Sequence, residues 1–211
     1  MKSNQSIKSA LMLTAAILLS TKASNAALYY HVSIDTSSLS SSPASTSAPF
    51  ALDFQFNTGG TLNNNTANIH NFTFNGGATV GAATITGSAT GDLSTTIAIN
   101  DTSFSELYQQ FTPGSSIEFD MFLSNNEDST TPDSFSVSIL NGNLENISTS
   151  GVGNSLIQFD VSPTATANLG AGTGDFSGVA APTLSAIPEP SALALCALGS
   201  MGLIARRRRN A

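Results

Sequence analysis

The chain has no tryptophan, a single cysteine and, across its whole middle, no basic residue. Charged residues make up only 10% of its 211 positions, against roughly 25% in a typical soluble domain. Each scarcity excludes something. A lone thiol, Cys196, cannot close an internal disulfide. The 7 cationic side chains are Lys2, Lys8, Lys22, Arg206, Arg207, Arg208 and Arg209, so no Lys or Arg falls between Ala23 and Ala205. A surface without such cations cannot neutralise phosphates, which excludes nucleic acid as a partner. It equally disfavours nucleotide chemistry that clamps phosphate with Lys or Arg. All 14 carboxylates lie inside that same span.

The residues that are present are sorted by position. Lys2 and Lys8 precede the apolar run Ala10–Leu19, and Ser24-Asn25-Ala26 supplies the small residues of a cleavage site. This is the pattern of a secretory signal peptide over residues 1–26, cut between Ala26 and Ala27 and served by the Sec export machinery. At the other end Pro188, Glu189 and Pro190 come first, then the apolar run Ala192–Ala205, then Arg206, Arg207, Arg208 and Arg209. As a helix starting at Ser191 that run is about 22 Å long, short for a hydrocarbon core of about 30 Å. The arginines stay cytoplasmic and orient the helix in the inner membrane with the body outside. Two prolines keep the stretch ahead of the helix extended and within reach of an enzyme.

Ile187-Pro188-Glu189-Pro190-Ser191, the Leu/Ala/Gly run with Gly199 and Gly202, and the terminal arginines together resemble a PEP-CTERM sorting signal. The resemblance covers the last stretch of the chain, with all three parts in order and Ile187 where valine is commonest. It implies recognition by an exosortase-type transpeptidase that removes helix and basic tail. It also implies a Gram-negative host that makes exopolysaccharide, and a destination at the cell surface or in the extracellular matrix. Tyr30–Leu39 with Leu52–Asn57 resembles the opening of one subfamily of such proteins, to which no activity attaches.

The intervening residues are rich in Ser, Thr, Asn and Gly, with apolar side chains at alternate positions. Phe50, Leu52, Phe54 and Phe56 alternate with Ala51, Asp53, Gln55 and Asn57, the signature of a half-buried strand. Ile117–Leu123, Phe135–Ile139, Leu93–Ile99 and Tyr30–Ile34 repeat it, and Ile157–Val161 reads as the last strand. Asn75-Gly76-Gly77 predicts a hairpin between Ile69–Phe74 and Val80–Thr86, and Asn141-Gly142 a second between Phe135–Leu140 and Leu144–Ile147. Phe104, Leu107, Tyr108 and Phe111 fall at helical spacing and predict a helix over Ser103–Phe111, ended by Pro113-Gly114. The fold class expected is all-β: an antiparallel, jelly-roll-like β-sandwich of about nine strands with one short helix, flanked by the signal and sorting helices. A partly closed barrel shares the same local signals. The domains expected are a signal peptide at 1–26, the sandwich at 27–162, a flexible Gly/Ala/Thr/Pro stalk at 163–187 and the sorting signal at 188–211.

Candidates for chemistry are sparse. His31 and His70 are the only histidines and neither has a neighbouring ligand pattern. Gly87-Ser88-Ala89-Thr90-Gly91 places its serine one position early for a nucleophile elbow. Glu118 and Asp120 share a strand face and, with Asp53, imitate a glycosidase carboxylate pair, but solvated outward charge explains them without further assumption. Residues 125–133 form an acidic loop in which Glu127, Asp128 and Asp133 are calcium candidates. The leading expectation is a non-enzymatic structural or envelope protein without cofactor. Its partners are Sec, an exosortase, the inner membrane and exopolysaccharide. The competing class is a secreted glycan- or calcium-binding sandwich, with a glycoside or ester hydrolase ranked below it.

Overall fold

The computed structural model describes residues 27–41, 49–126, 131–162 and 165–187, and every structural statement below concerns these residues. The signal peptide, the sorting helix and the arginine tail lie outside them. Among the described residues no helix is long and apolar enough to cross a membrane.

Period-two patterning produces strands throughout. In chain order they are β1 (Leu28–Asp35), β2 (Phe50–Asn57), β3 (Thr66–Asn75), β4 (Ala78–Thr86), β5 (Ile97–Asn100), β6 (Phe104–Thr112), β7 (Ser116–Leu123) and β8 (Asp133–Leu140). Then come β9 (Ile157–Val161), β10 (Ala167–Leu169) and β11 (Thr183–Ala186), with short 3-10 turns between some of them. They form two antiparallel sheets, in the orders β11-β1-β7-β3-β5 and β10-β9-β8-β2-β6-β4. From β1 to β8 the chain changes sheet at every step, so the two layers are wound together.

The inward faces meet in a phenylalanine-rich core. Phe54 of β2 contacts Phe72 of β3 and Phe119 of β7 edge-on, and Tyr30 of β1 stacks on Phe159 of β9. Phe50, Phe54, Phe56, Phe111, Phe119, Phe135 and Phe159 are all fully buried. With no tryptophan, these aromatic side chains supply much of the apolar area that drives the sheets together.

Three expectations are corrected. Ser103–Phe111 is not a helix: β6 runs through it, with Ser105, Leu107, Gln109 and Phe111 facing inward. Two polar residues among those four hide the alternation from a hydrophobicity count. Both are satisfied in place. Gln109 Oε1 accepts from the Leu93 amide at 2.8 Å and its Nε2 donates to Gly81 O at 2.7 Å, while Ser105 Oγ meets Ser88 Oγ at 2.9 Å.

The Asn75-Gly76-Gly77 turn does not pair β3 with β4. Both edges of β3 are taken, by β7 and β5, and β4 pairs β6 in the other sheet. The Ser115 amide donates to Asn75 O at 2.7 Å, and a Cβ on Gly77 would lie 2.3 Å from Thr112 O, so the turn is clamped against the start of β7 and sends the chain across the sandwich. At Asn141-Gly142 the chain does reverse, with Asn141 N to Glu145 O at 2.8 Å and Ile147 N to Ile139 O at 2.9 Å, but the return makes only an isolated bridge.

The tract read as a flexible stalk carries β10 and β11, and Val161 is not the end of the last strand. β11 pairs with β1 in register Tyr30 to Ala186 and Val32 to Leu184, and Val179 and Phe176 are buried between. Its Gly/Ala/Thr/Pro composition has no period because these residues patch an edge and a seam rather than cover one continuous face.

Candidate functional site

The acidic region singled out in the sequence lies only partly among the described residues. Glu127 and Asp128 lie outside the described residues, whereas Asp133, at the start of β8, is fully buried. Its Oδ1 accepts from the Gly59 amide at 2.8 Å and from Thr58 Oγ1 at 3.3 Å, and its Oδ2 from Asn65 Nδ2 at 2.7 Å. Beside it stands Asp101, which the sequence did not single out. Asp101 Oδ2 accepts from the amides of Asn64 and Asn65 at 3.1 and 3.0 Å, and the carboxyl lies within hydrogen-bonding reach of Asp133. Burial first, then the hydrogen bond to Asp133, push Asp101 up to about 6. No local pattern could have joined the two: Asp101 follows β5 in one sheet and Asp133 opens β8 in the other. Among the described residues no three His, Cys, Asp or Glu side chains converge on a common point.

A second polar group lies on the outer face of the sheet holding β1, β7 and β3. His31, Asp120 and His70 occupy one row of three neighbouring strands. His31 Nδ1 donates to Asp120 Oδ1 at 2.8 Å, its Nε2 is 4.0 Å from Glu118 Oε2, and Asn71 Nδ2 donates to Asp120 Oδ2 at 2.8 Å. Asn71 reaches there because it occupies a bulge in β3 at φ 58°, a conformation Asn tolerates. Partial burial opposes ionisation of Asp120. Hydrogen bonds from Asn71 and His31 and the nearby imidazoles outweigh it and hold the carboxyl below its ordinary range. His70 rests edge-on against Tyr29 at 6.1 Å. This face holds two histidines and two carboxylates, and Ser88, the serine singled out in the sequence, is not among them: it donates to Asn100 O at 2.9 Å. The tyrosines share no platform, since Tyr29 is on this face, Tyr30 points into the core and Tyr108 is on the outer face of the other sheet.

Over that other face a cavity of about 330 Å³ is lined by Val80, Thr84, Tyr108, Gln110 and Leu144 among others. Asp53 stands opposite Tyr108 on β2 and is only 1% exposed. It accepts from Gln55 Nε2 at 2.8 Å through Oδ2, while Oδ1 is buried without a partner. Asp53, Glu118 and Asp120 therefore do not form a carboxylate pair across a cleft, because Asp53 lies in the opposite sheet.

The two ends of the described body meet. The Ile187 amide donates to Tyr29 O at 2.8 Å, so the last described residue is bonded next to the start of β1. The model of the PEP-CTERM protein-sorting motif matches residues 186–209. The chain carries a PEP-CTERM sorting motif. No curated protein and no solved structure matches the chain. The PEP-CTERM motif marks the protein for export and membrane-associated sorting of the exosortase type. Its match begins on Ala186, the last residue of β11, so the motif follows the folded body with no spacer. Pro188, Glu189, Pro190, Arg206, Arg207, Arg208 and Arg209 lie outside the described residues, as does Ala26; Ala27 is described and immediately precedes β1.

Proposed function

We propose that the chain is a non-enzymatic surface protein whose β-sandwich is exported, held at the inner membrane by the PEP-CTERM helix, and released to the cell surface or extracellular matrix by cleavage at Pro188-Glu189-Pro190. The observation that carries this reading is the motif match over residues 186–209, set directly after the last strand. The signal-peptide pattern at the other end supports the same topology. So does the charge distribution: every Lys and Arg sits in a terminal segment, where the arginines fix orientation at the membrane. In this role the folded body contributes a stable, acidic, protease-resistant mass to a Gram-negative envelope or polysaccharide matrix.

Intact-mass measurement on protein from its native host tests the reading. The expected mass lacks residues 1–26 and the segment beyond the PEP motif. An unprocessed C-terminus in a host that expresses the transpeptidase would overturn it.

A further inference from the structure

We propose that the cavity over the outer face of β4 and β6 is a binding site for a neutral sugar residue. Its origin is an irregularity in β4. Val80 pairs with Gln110 and Thr84 with Tyr108, so β4 takes four steps where β6 takes two. The extra residues bow out from the ladder, and a hollow of about 330 Å³ lies over them. The bow is held from inside the sandwich, where Gln109 Nε2 donates to Gly81 O at 2.7 Å. Leu144 reaches the hollow from the reversal after β8, although β2 stands between β8 and β6 in the sheet. It sits at φ 61° and is 48% exposed, so a strained backbone keeps a large apolar side chain in water at the rim.

The lining is neutral and two-sided. Val80, Leu144 and Tyr108 supply apolar surface, while Thr84, Gln110 and the Tyr108 hydroxyl supply donors and acceptors. Among the described residues the side chains of Thr84, Tyr108 and Gln110 make no hydrogen bond, so these groups are open to a ligand. Next to them the polar groups are already used: Gln55 Nε2 donates to Asp53 Oδ2 at 2.8 Å and to Glu106 Oε1 at 3.1 Å. A ligand that fits needs an apolar face for Tyr108 and Leu144 and neutral hydrogen-bonding groups at its edge. A sugar ring has both, with C–H groups on its face and hydroxyls around it. Charge narrows the class further. Asp53 and Glu106 stand on the same face beside Tyr108, and no Lys or Arg lies between Ala23 and Ala205. A uronate, sulfate or phosphate group would therefore meet carboxylates and no cation. The volume is at the small end of the range of about 300–1,000 Å³ for ligand pockets, which suits a short sugar unit rather than an extended chain. The site rests on this geometry and is independent of how the chain is sorted.

The test is saturation-transfer NMR on the full chain at neutral pH, in a detergent without a sugar headgroup. The probes are maltose, cellobiose, lactose, mannobiose and chitobiose, with glucuronic acid and phenol as controls. At least one disaccharide is expected to saturate with a dissociation constant of about 0.1–10 mM, as suits one aromatic ring and a few neutral groups. Tyr108→Ala weakens that binding by at least about tenfold. Leu144→Gly removes the rim side chain and relieves the backbone at φ 61°, so it lowers affinity by about threefold or more while its thermal midpoint stays at or above the native one. That second variant separates a lost contact from a lost fold. Three results would each overturn the proposal. One is that no disaccharide saturates below about 50 mM. Another is that glucuronic acid or phenol binds as tightly as the best disaccharide. The third is that both variants bind it like the native chain.

Discussion

Asp53 lies on the outer side of β2, where alternation places it, yet it is almost wholly removed from solvent. Burial and then the charge of Glu106 push its carboxyl up to about 7, against a partial opposing effect from the Gln55 amide. From β6 it faces Glu106 and Tyr108, and from β8 Ser138, which does not titrate. The consequence for stability has a definite sign. The native group holds its proton up to about pH 7 while the unfolded one ionises from about 3.8, so stability is lost as pH rises through that window and is level above it. Three pKa units correspond to about 4 kcal/mol. Urea unfolding is expected to show Asp53→Asn matching the native protein near pH 4 and exceeding it by up to that amount at pH 8. Equal pH dependence in the two would rule the account out. The strand face of Asp53 was legible in the sequence. Its burial was not, because covering an outer face depends on long side chains such as Gln55 and Tyr108 from neighbouring positions.

Elements were legible where one face is wholly apolar. β2, β7 and β8 follow from Phe50–Phe56, Ile117–Leu123 and Phe135–Ile139, whose inward residues are all large and hydrophobic. β6 was misread because Ser105 and Gln109 point inward, and their acceptability rests on partners 16 to 28 residues away in sequence. The segment 165–187 was misread for a different reason. Its strands are short edge pieces whose stability comes from β1 and β9, not from their own pattern. Native-state digestion with proteinase K, read by mass spectrometry, is expected to leave Thr183–Ala186 uncut until the sandwich unfolds, since β11 is hydrogen-bonded along Tyr30–Ser33. Early cleavage within that segment would restore the stalk.

At the scale of the whole molecule the charge distribution dominates. The sandwich has carboxylates on both outer faces and at its loop end, and two histidines as its only titratable bases. Trypsin therefore has no site from Ala23 to Ala205 even in the unfolded chain. Digestion of the full chain in urea is expected to leave that span as a single fragment on mass analysis, and an internal cut would contradict it. The pairing of β1 with β11 also places the start of the matched motif: the stretch begins at Ala186 on a paired strand, and the Ile187 amide is hydrogen-bonded to Tyr29 O.

The sequence by itself determined the sorting motif and the fold class, because both are written in local chemistry. A PEP motif before an apolar run and an arginine tail are read in order along the chain, and period-two alternation needs only neighbouring residues to be recognised. The tertiary structure alone decided which strands pair, that residues 165–187 complete the sandwich, and that Asp101 meets Asp133. Those facts depend on which groups the winding of two sheets brings together from distant positions. For a buried carboxylate the outcome is set by what lies across the interface, and in a body without Lys or Arg that partner is never a fixed basic side chain.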